Sequence, residues 1–356
     1  MRTILHTESS PGWGGQEVRI LTEARWLVEH GWQVQLACQP ASGILPRAQG
    51  IRVHPIRMRG PWDPSAFVRL VRLIRRERIA LVHTHSSVDS WIATLAARAL
   101  GRPVVRSRHV SIPISARRSL VYHLADRIIA SGEAVAQLVR AAGVPPAKIV
   151  SIPAGVDTRE FHPGVSGRPV REELGLTGPV VGIVAMLRSS KGHRFFLEAA
   201  REVLQALPET RFLIVGDGVG YEDTRRHVRE LGLEHAVTLT GFRNDIPAVM
   251  AALDVLVLPS IKSEATSQVI PQAFAVGTPV VAAATGGIPE IIRDGATGFL
   301  VPPRHSGALA AAIRSVLTDR ATAKRMAEAG RRLVLEHYSL DRMMERTVAV
   351  YCSLLS

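Results

Sequence analysis

The feature that most constrains this chain is an alternation, kept up from end to end, of short continuous apolar runs with amphipathic segments. Apolar runs that do not alternate with polar residues are strands buried on both faces, and the segments between them are the crossovers that parallel strands require. The chain is therefore of the α/β class. In the first half TILHTE, WQVQLACQ, IRVHPI, IALVHTH, PVVRSRHV, DRIIAS and KIVSIP predict strands. Between the first two, QEVRILTEARWLVEHG places Val18, Ile20, Leu21, Ala24 and Leu27 at helical spacing before a terminating Gly31. The second half restarts with PVVGIVAML, RFLIVGDG, AVTLTGF, DVLVLPS, PVVAAAT and GFLVPP, so two parallel sheets are expected.

A chain of 356 residues is long for one core. The aperiodic stretch IPAGVDTREFHPGVSGRPV, with Pro153, Pro163, Pro169, Gly155, Gly164 and Gly167, reads as a linker and puts the boundary near residue 165. The expected organisation is 1–165, 166–335, and a last amphipathic helix within 336–356, with Ser339 as its N-cap.

Hydrophobic residues make up 46% of the chain and charged residues 21%, which excludes disorder as the main state. Cys38 and Cys352 are far apart and have no C-x-x-C partner, so neither a disulfide framework nor a cysteine zinc site is expected, and a reducing cytoplasm is the simplest home. The N-terminus turns polar too soon for a signal peptide and no apolar run is long enough to span a bilayer, so neither export nor a membrane span is expected. Of the net charge of +13, residues 1–165 carry +11, from 22 basic and 11 acidic residues. Such a field suits nucleic acid, anionic lipid headgroups or a phosphorylated substrate, and equally a solvated arginine-rich surface. Aromatics at 5% with no recognition motif speak against nucleic acid.

The most informative segment is DVLVLPSIKSEATSQVIPQAFAVGTPV, residues 254–280. An apolar strand ends at Pro259, a polar loop follows, and a helix is expected to start near Thr266 or Ser267, with Pro271 in or beside its first turn. The unpaired N–H groups of such a start can hold a phosphate, and Glu264 stands just before it, beyond the carboxyl end of a parallel strand, where ligands bind in such sheets. On its own Glu264 is also readable as a loop acid and Ser267 as a cap.

The order VVGIVAMLRSSKGH, LIVGDG, VTLTGFRNDIPAVMAALDVLVLPS, Glu264 with its helix, and GTPVVAAATGGIPEIIRDGATGFLVPP resembles the C-terminal domain of the retaining glycosyltransferases of family 4, the group 1 glycosyl transferases. GWGGQE, LVHTHSS, ADRIIASGEAV and IPAGVDTREFHP resemble the same family. The resemblance implies a GT-B fold, with two Rossmann-like domains facing across a cleft and the last helix crossing back to the first domain. It implies that Glu264 contacts the donor sugar, that Thr266, Ser267 and Gln268 border the donor phosphates, and that Gln272 stands where a glutamate usually holds the ribose hydroxyls. An amide in place of that carboxylate weakens donor binding on the order of 1 kcal/mol. Lys191 fits the family's cation at the diphosphate directly. Arg188 lies two places after Met186, where the family's arginine usually stands.

In the first half, Gly14 and Gly15 resemble the loop facing donor and acceptor, with Glu17 opening the next helix on the acceptor side. His109 resembles the histidine beside the reacting sugar, and His85 a residue at an acceptor-side strand end. His83 and His85 share one strand face by the period of two, which permits metal ligation, but the sequence offers no evident third ligand and no Asp-x-Asp pair. No metal and no other cofactor is expected. Gly286 and Gly287 lead into a helix start where Glu290 suits the helix dipole rather than catalysis.

The implied activity is a metal-independent retaining transfer of a sugar from a nucleotide-diphosphate sugar donor to a hydroxyl of a glycan or glycolipid acceptor. A bacterial cell-surface intermediate of lipopolysaccharide or exopolysaccharide type is the expected acceptor. The expected location is cytoplasmic, with an anionic inner-membrane surface as a further partner. The competing readings are a non-catalytic nucleotide-sugar-binding relative, in which Gln272 and Met186 mark a degenerate donor site, and a nucleic-acid binder.

Overall fold

The computed structural model describes residues 2–262, 265 and 267–355. Glu264 and Thr266 lie outside the described residues. The first sheet contains β1 (Thr3–Glu8), β2 (Gln33–Cys38), β3 (Arg52–Pro55), β4 (Ile79–Thr84), β5 (Val104–Arg108), β6 (Arg127–Ala130) and β7 (Ile149–Ser151). The second contains β8 (Val180–Val184), β9 (Arg211–Val215), β10 (Val237–Gly241), β11 (Val255–Leu258), β12 (Val280–Ala283) and β13 (Phe299–Val301). Each apolar run of the sequence supplies one of these strands, all their pairings are parallel, and each sheet is Rossmann-like.

The spatial orders are β3-β2-β1-β4-β5-β6-β7 and β10-β9-β8-β11-β12-β13. The chain order therefore reverses between β1 and β4 in one sheet and between β8 and β11 in the other. A doubly wound sheet opens a crevice for ligands at the carboxyl ends of the strands at such a point.

Two compact units emerge, Met1–Ala154 with Met343–Ser356, and Gly155–Arg342. The division falls earlier than the expected residue 165, because the stretch read as a linker is packed into the second unit. Val156 N donates to Tyr338 O at 2.8 Å, and Phe161 is buried in the second unit's core. The last helix, Leu340–Leu355, begins where Ser339 Oγ accepts from Arg342 N at 3.3 Å.

In the second unit the two faces of the sheet feed two cores with the period of two that strands impose. Val180, Val184, Leu213, Leu256 and Leu258 point to one, and Val181, Ile183, Phe212, Ile214 and Val257 to the other. In the first unit the helix Gly15–Glu29 buries Ile20, Leu21, Ala24 and Leu27 as expected, but Val18 is 38% exposed. Glu17, Arg19 and Glu23 are buried instead, and the ion pair Arg19 Nε–Glu23 Oε1 at 2.7 Å lets two charged residues one turn apart enter the interior together.

Glycines fix the loops beyond the strand ends of the second unit. Gly192, at φ +75°, follows the 3₁₀ turn Ser189–Lys191, and a Cβ there would lie 1.9 Å from Pro259 O. At Gly216, φ +140°, in the loop after β9, a Cβ would likewise lie 2.0 Å from Ala185 O. Gly192→Ala is expected to destabilise the protein by at least about 2 kcal/mol, read in denaturant unfolding, since it meets both the forbidden φ and the carbonyl.

Candidate functional site

In the first unit the site starts from strand register. His6 of β1 lies directly beside His83 of β4, and their ring centroids are 4.9 Å apart. His85 follows just beyond β4 and His109 just beyond β5, so one end of the sheet gathers four imidazoles. His109 Nε2 lies 3.1 Å from His85 Nδ1, and His85 Nε2 lies 2.9 Å from His6 Nδ1. His83 stands aside from this row, with Nδ1 bonded to Tyr351 Oη at 2.7 Å and Nε2 to Ser107 Oγ at 2.8 Å. His109 is half-buried and the other three are buried. Burial, reinforced for His83, His85 and His109 by neighbouring imidazoles or by Arg19, holds those three well below the ordinary histidine range, and burial alone pushes His6 down to about 3. All four rings are therefore neutral at physiological pH.

The expectation that His83 and His85 lack a third ligand is corrected. His6, Glu23, His83 and His85 each bring one donor atom within 4.8 Å of the others. Both nitrogens of His83 and of His85 are already engaged, and the Arg19 guanidinium is paired to Glu23.

Sequence reasoning missed a second group at the same strand ends. Glu8, the last residue of β1, is 1% exposed and accepts from Ser10 N at 2.6 Å and from Gln16 Nε2. Asp89, fully buried in the first turn of the helix Ser87–Arg98, accepts from Thr7 Oγ1 at 2.8 Å, His85 N at 3.0 Å and Ser86 N at 3.0 Å. Desolvation, and then the Asp89 charge, push Glu8 up to about 8, so it is a neutral acid at physiological pH. The available signal was a glutamate ending a central strand that carries an apolar pair, Ile4–Leu5, near its start. Glu17 is buried in the first turn of the helix that Gly14 caps, and Gly15 opens that helix. A Cβ on Gly14 would meet only Glu17 Oε2, at 3.6 Å, so the chain's own packing does not demand a glycine there.

In the second unit three loops meet beyond β8, β11 and β12. The turn carrying Lys191 is tied to the β11 loop by Ile261 N donating to Ser190 O at 2.9 Å. The Gly286–Gly287 turn touches the other side of that loop, where Thr285 Oγ1 donates to Ser260 O at 3.2 Å and a Cβ on Gly287 would lie 2.2 Å from Ala265 O. The helix that follows is Val269–Val276, with Gln268 in the N-cap position and Pro271 in its first turn. It starts later than the expected Ser267, and among the described residues Gln268 is the first whose carbonyl accepts a helical bond, from Gln272 N at 3.2 Å. Ser267 is buried just before it, and Gln268, Gln272 and Lys191 are half-buried. Arg188 is exposed and lines a cavity of about 520 Å³ with His193, Arg194, Arg226 and Arg304. Glu290 is exposed, and its carbonyl accepts from Tyr338 Oη at 3.1 Å.

These arrangements match known proteins. The Glycosyl transferases group 1 family matches residues 169–333, and Glycosyltransferase Family 4 matches residues 13–160. A GDP-mannose-dependent alpha-(1-6)-phosphatidylinositol monomannoside mannosyltransferase of Mycolicibacterium smegmatis is 32% identical over 84% of this chain and 82% of its own length. The chain belongs to the group 1 glycosyl transferases. A UDP-Gal:alpha-D-GlcNAc-diphosphoundecaprenol alpha-1,3-galactosyltransferase of Escherichia coli is 29% identical, over 84% of this chain and 83% of its own. Among solved structures, Anabaena Alr3699/HepE in complex with UDP superposes with a TM-score of 0.90 at 22% identity, covering 99% of this chain and 100% of that one, which gives the fold as GT-B. This protein is accordingly an enzyme, a glycosyltransferase dependent on a nucleotide sugar.

Glu8 makes the stability of this glycosyltransferase depend on pH. Its folded value of about 8 lies above the ordinary 4.5, so from about 4.5 to about 8 the folded state holds a proton that the unfolded chain has lost. The contribution of Glu8 is complete below that window and is lost as pH rises through it. Glu8→Gln is expected to match the wild type in acid and to exceed its stability increasingly towards pH 8, by on the order of a few kcal/mol, read as a rising melting temperature in thermal unfolding across the pH range.

Proposed function

We propose that this glycosyltransferase works with retention and without a metal, moving a sugar from a nucleotide-diphosphate sugar to a hydroxyl of a bacterial cell-surface glycan or glycolipid intermediate. The observation that carries the donor half is the meeting of three loops at the switch point of the second sheet, where the turn carrying Lys191 is tied at Ser190 to the loop that leads through Ser267 and Gln268 into a helix start. Backbone N–H groups at that start and the Lys191 ammonium suit a diphosphate. As the sugar–oxygen bond breaks, its electron pair leaves with the diphosphate, and preorganised positive charge there lowers the barrier. Arg188 serves the same anion from the edge of its cavity, and Thr266 from the loop.

Glu264 orients the sugar hydroxyls, and Gln272 accepts from the ribose. Gly14 and Gly15 border the donor, His109 stands beside the reacting sugar, and Glu17 and His85 belong to the acceptor side. The reading as a non-catalytic relative is not favoured, because the relatives named above are transferases. The test is thermal stability with uridine, guanosine, adenosine and cytidine diphosphate sugars, with and without EDTA. One donor is expected to raise the melting temperature through mass action, equally with the chelator, and to lose its effect in Lys191→Ala.

The acceptor half rests on charge and shape. Among the described residues no helix is long and apolar enough to cross a membrane. The helix Pro64–Arg76 buries Ala66, Leu70, Leu73 and Ile74 and turns Arg69, Arg72, Arg75 and Arg76 outward, with Val68 also exposed and Trp62 73% exposed just before it. A basic face with an aromatic at its edge suits an anionic leaflet, each cation adding about 1 kcal/mol of attraction. Binding to vesicles containing anionic lipid is expected at low salt, with loss at high salt and in Arg69→Glu with Arg72→Glu, measured by sedimentation.

A further inference from the structure

The row of imidazoles in the first unit has a direction. Neutral imidazole carries one N–H and one bare nitrogen, so in a run of ring-to-ring hydrogen bonds every ring must point its N–H the same way. In this row His109 Nε2 faces His85 Nδ1, and His85 Nε2 faces His6 Nδ1. The inner end is His6 Nε2, which is buried and has no partner. Beside it Glu23 keeps one oxygen, Oε1, on Arg19 at 2.7 Å, while Oε2 is buried without a partner. One ring nitrogen of His6 and a Glu23 carboxylate oxygen lie within 4.8 Å of each other. The two atoms are not hydrogen-bonded to each other, and Arg19 Nη1 is a third buried atom without a partner. A carboxylate only accepts, so the pairing that a small approach closes between the ring and the acid is His6 Nε2–H donating to Glu23 Oε2.

That pairing fixes every proton outward along the row. His6 Nδ1 then accepts from His85 Nε2–H, and His85 Nδ1 accepts from His109 Nε2–H. His109 is left with a bare Nδ1, the ring nitrogen not engaged by His85. His83 does not interrupt the row, because Ser107 and Tyr351 hold both of its nitrogens. Burial keeps the three rings of the row neutral, as the direction of their proton affinities requires.

We propose that Glu23, through His6 and His85, sets the tautomer of His109, so that His109 presents an acceptor nitrogen to a sugar hydroxyl of the bound substrate. Glu23 is a positioning residue that touches no substrate. The inference rests on the reading of His109 as a residue beside the reacting sugar, but the tautomer can be measured independently of any transfer. Glu23→Gln supplies an internal reversal. With the amide oxygen held by Arg19, the amide N–H₂ turns to His6 Nε2, that nitrogen becomes an acceptor, and the whole row inverts.

The experiment uses the full chain carrying histidine labelled with heavy nitrogen. Proton–nitrogen correlations of the imidazoles are recorded at neutral pH, and His109 is assigned through its loss in His109→Gln. The wild type is expected to show His109 as the Nε2–H tautomer, Glu23→Asp to keep it, and Glu23→Gln to show Nδ1–H. Turnover at saturating donor is expected to fall about tenfold in Glu23→Gln, with KM for the donor changed far less and Glu23→Asp recovering most of the loss. An Nδ1–H tautomer in the wild type, or an unchanged His109 in a folded Glu23→Gln, overturns the proposal. The wild-type spectrum alone decides it should Glu23→Gln not fold. The expected tautomers in a protein that transfers no sugar would instead refute the proposed function and leave the row standing.

Discussion

The first unit depends on mutual satisfaction of polar groups that the parallel sheet takes away from water. Central strands of such a sheet are buried on both faces, and β1 is buried over its whole length although it ends in His-Thr-Glu. Each of those groups costs free energy unless it finds a partner inside. Two partners come from far along the chain, His85 for His6 and Asp89 for Thr7, while Glu8 is met locally by Gln16 and Ser10. Tyr351, from the final helix, completes the set through His83. The last element of the chain is thereby bound into the polar end of the first sheet, which explains why Met343–Ser356 belongs to that unit.

The second unit solves the same topological problem differently. Its strand ends carry little buried charge, and its loops are set by close backbone approach at glycines: Gly192 against Pro259, Gly216 against Ala185 and Gly287 against Ala265. Backbone packed this tightly holds the loops and the Lys191 turn in place. An anion gains most from such a frame, because the donors need no reorganisation when it arrives. One switch point is thus furnished with titratable side chains and the other with backbone, although the sheets share one architecture.

The strands were legible because burial on both faces writes an uninterrupted apolar run, as in VVGIV and VLVL, and helical periodicity fills the gaps. The boundary was less so, since proline and glycine mark irregular backbone whether it is a free linker or, as with Phe161, part of a core. His85 and His109 were visible through family resemblance. His6, Glu8, Glu23 and Asp89 were not, because their meaning comes from register and from pairing across the fold rather than from spacing. Helix periodicity misplaced Val18, which is 38% exposed, and gave no sign that Arg19 and Glu23 are buried.

The charge of the chain takes on a sharper meaning once the sites are placed. The first half carries most of the excess, yet the imidazole cluster itself carries no charge: its four rings are neutral, and the Arg19 beside them is paired with Glu23. The cations of the helix Pro64–Arg76 stand instead on the exterior. Positive charge on that surface can gather an anionic acceptor or membrane without perturbing the proton states within, since surface fields are screened within about 8 Å at physiological salt. Neutral rings, in turn, can discriminate among sugar hydroxyls by donor and acceptor pattern alone. Recruitment by charge and recognition by hydrogen bonds are then separable properties of one unit, and substitutions on the outer helix should alter the first while leaving the second intact.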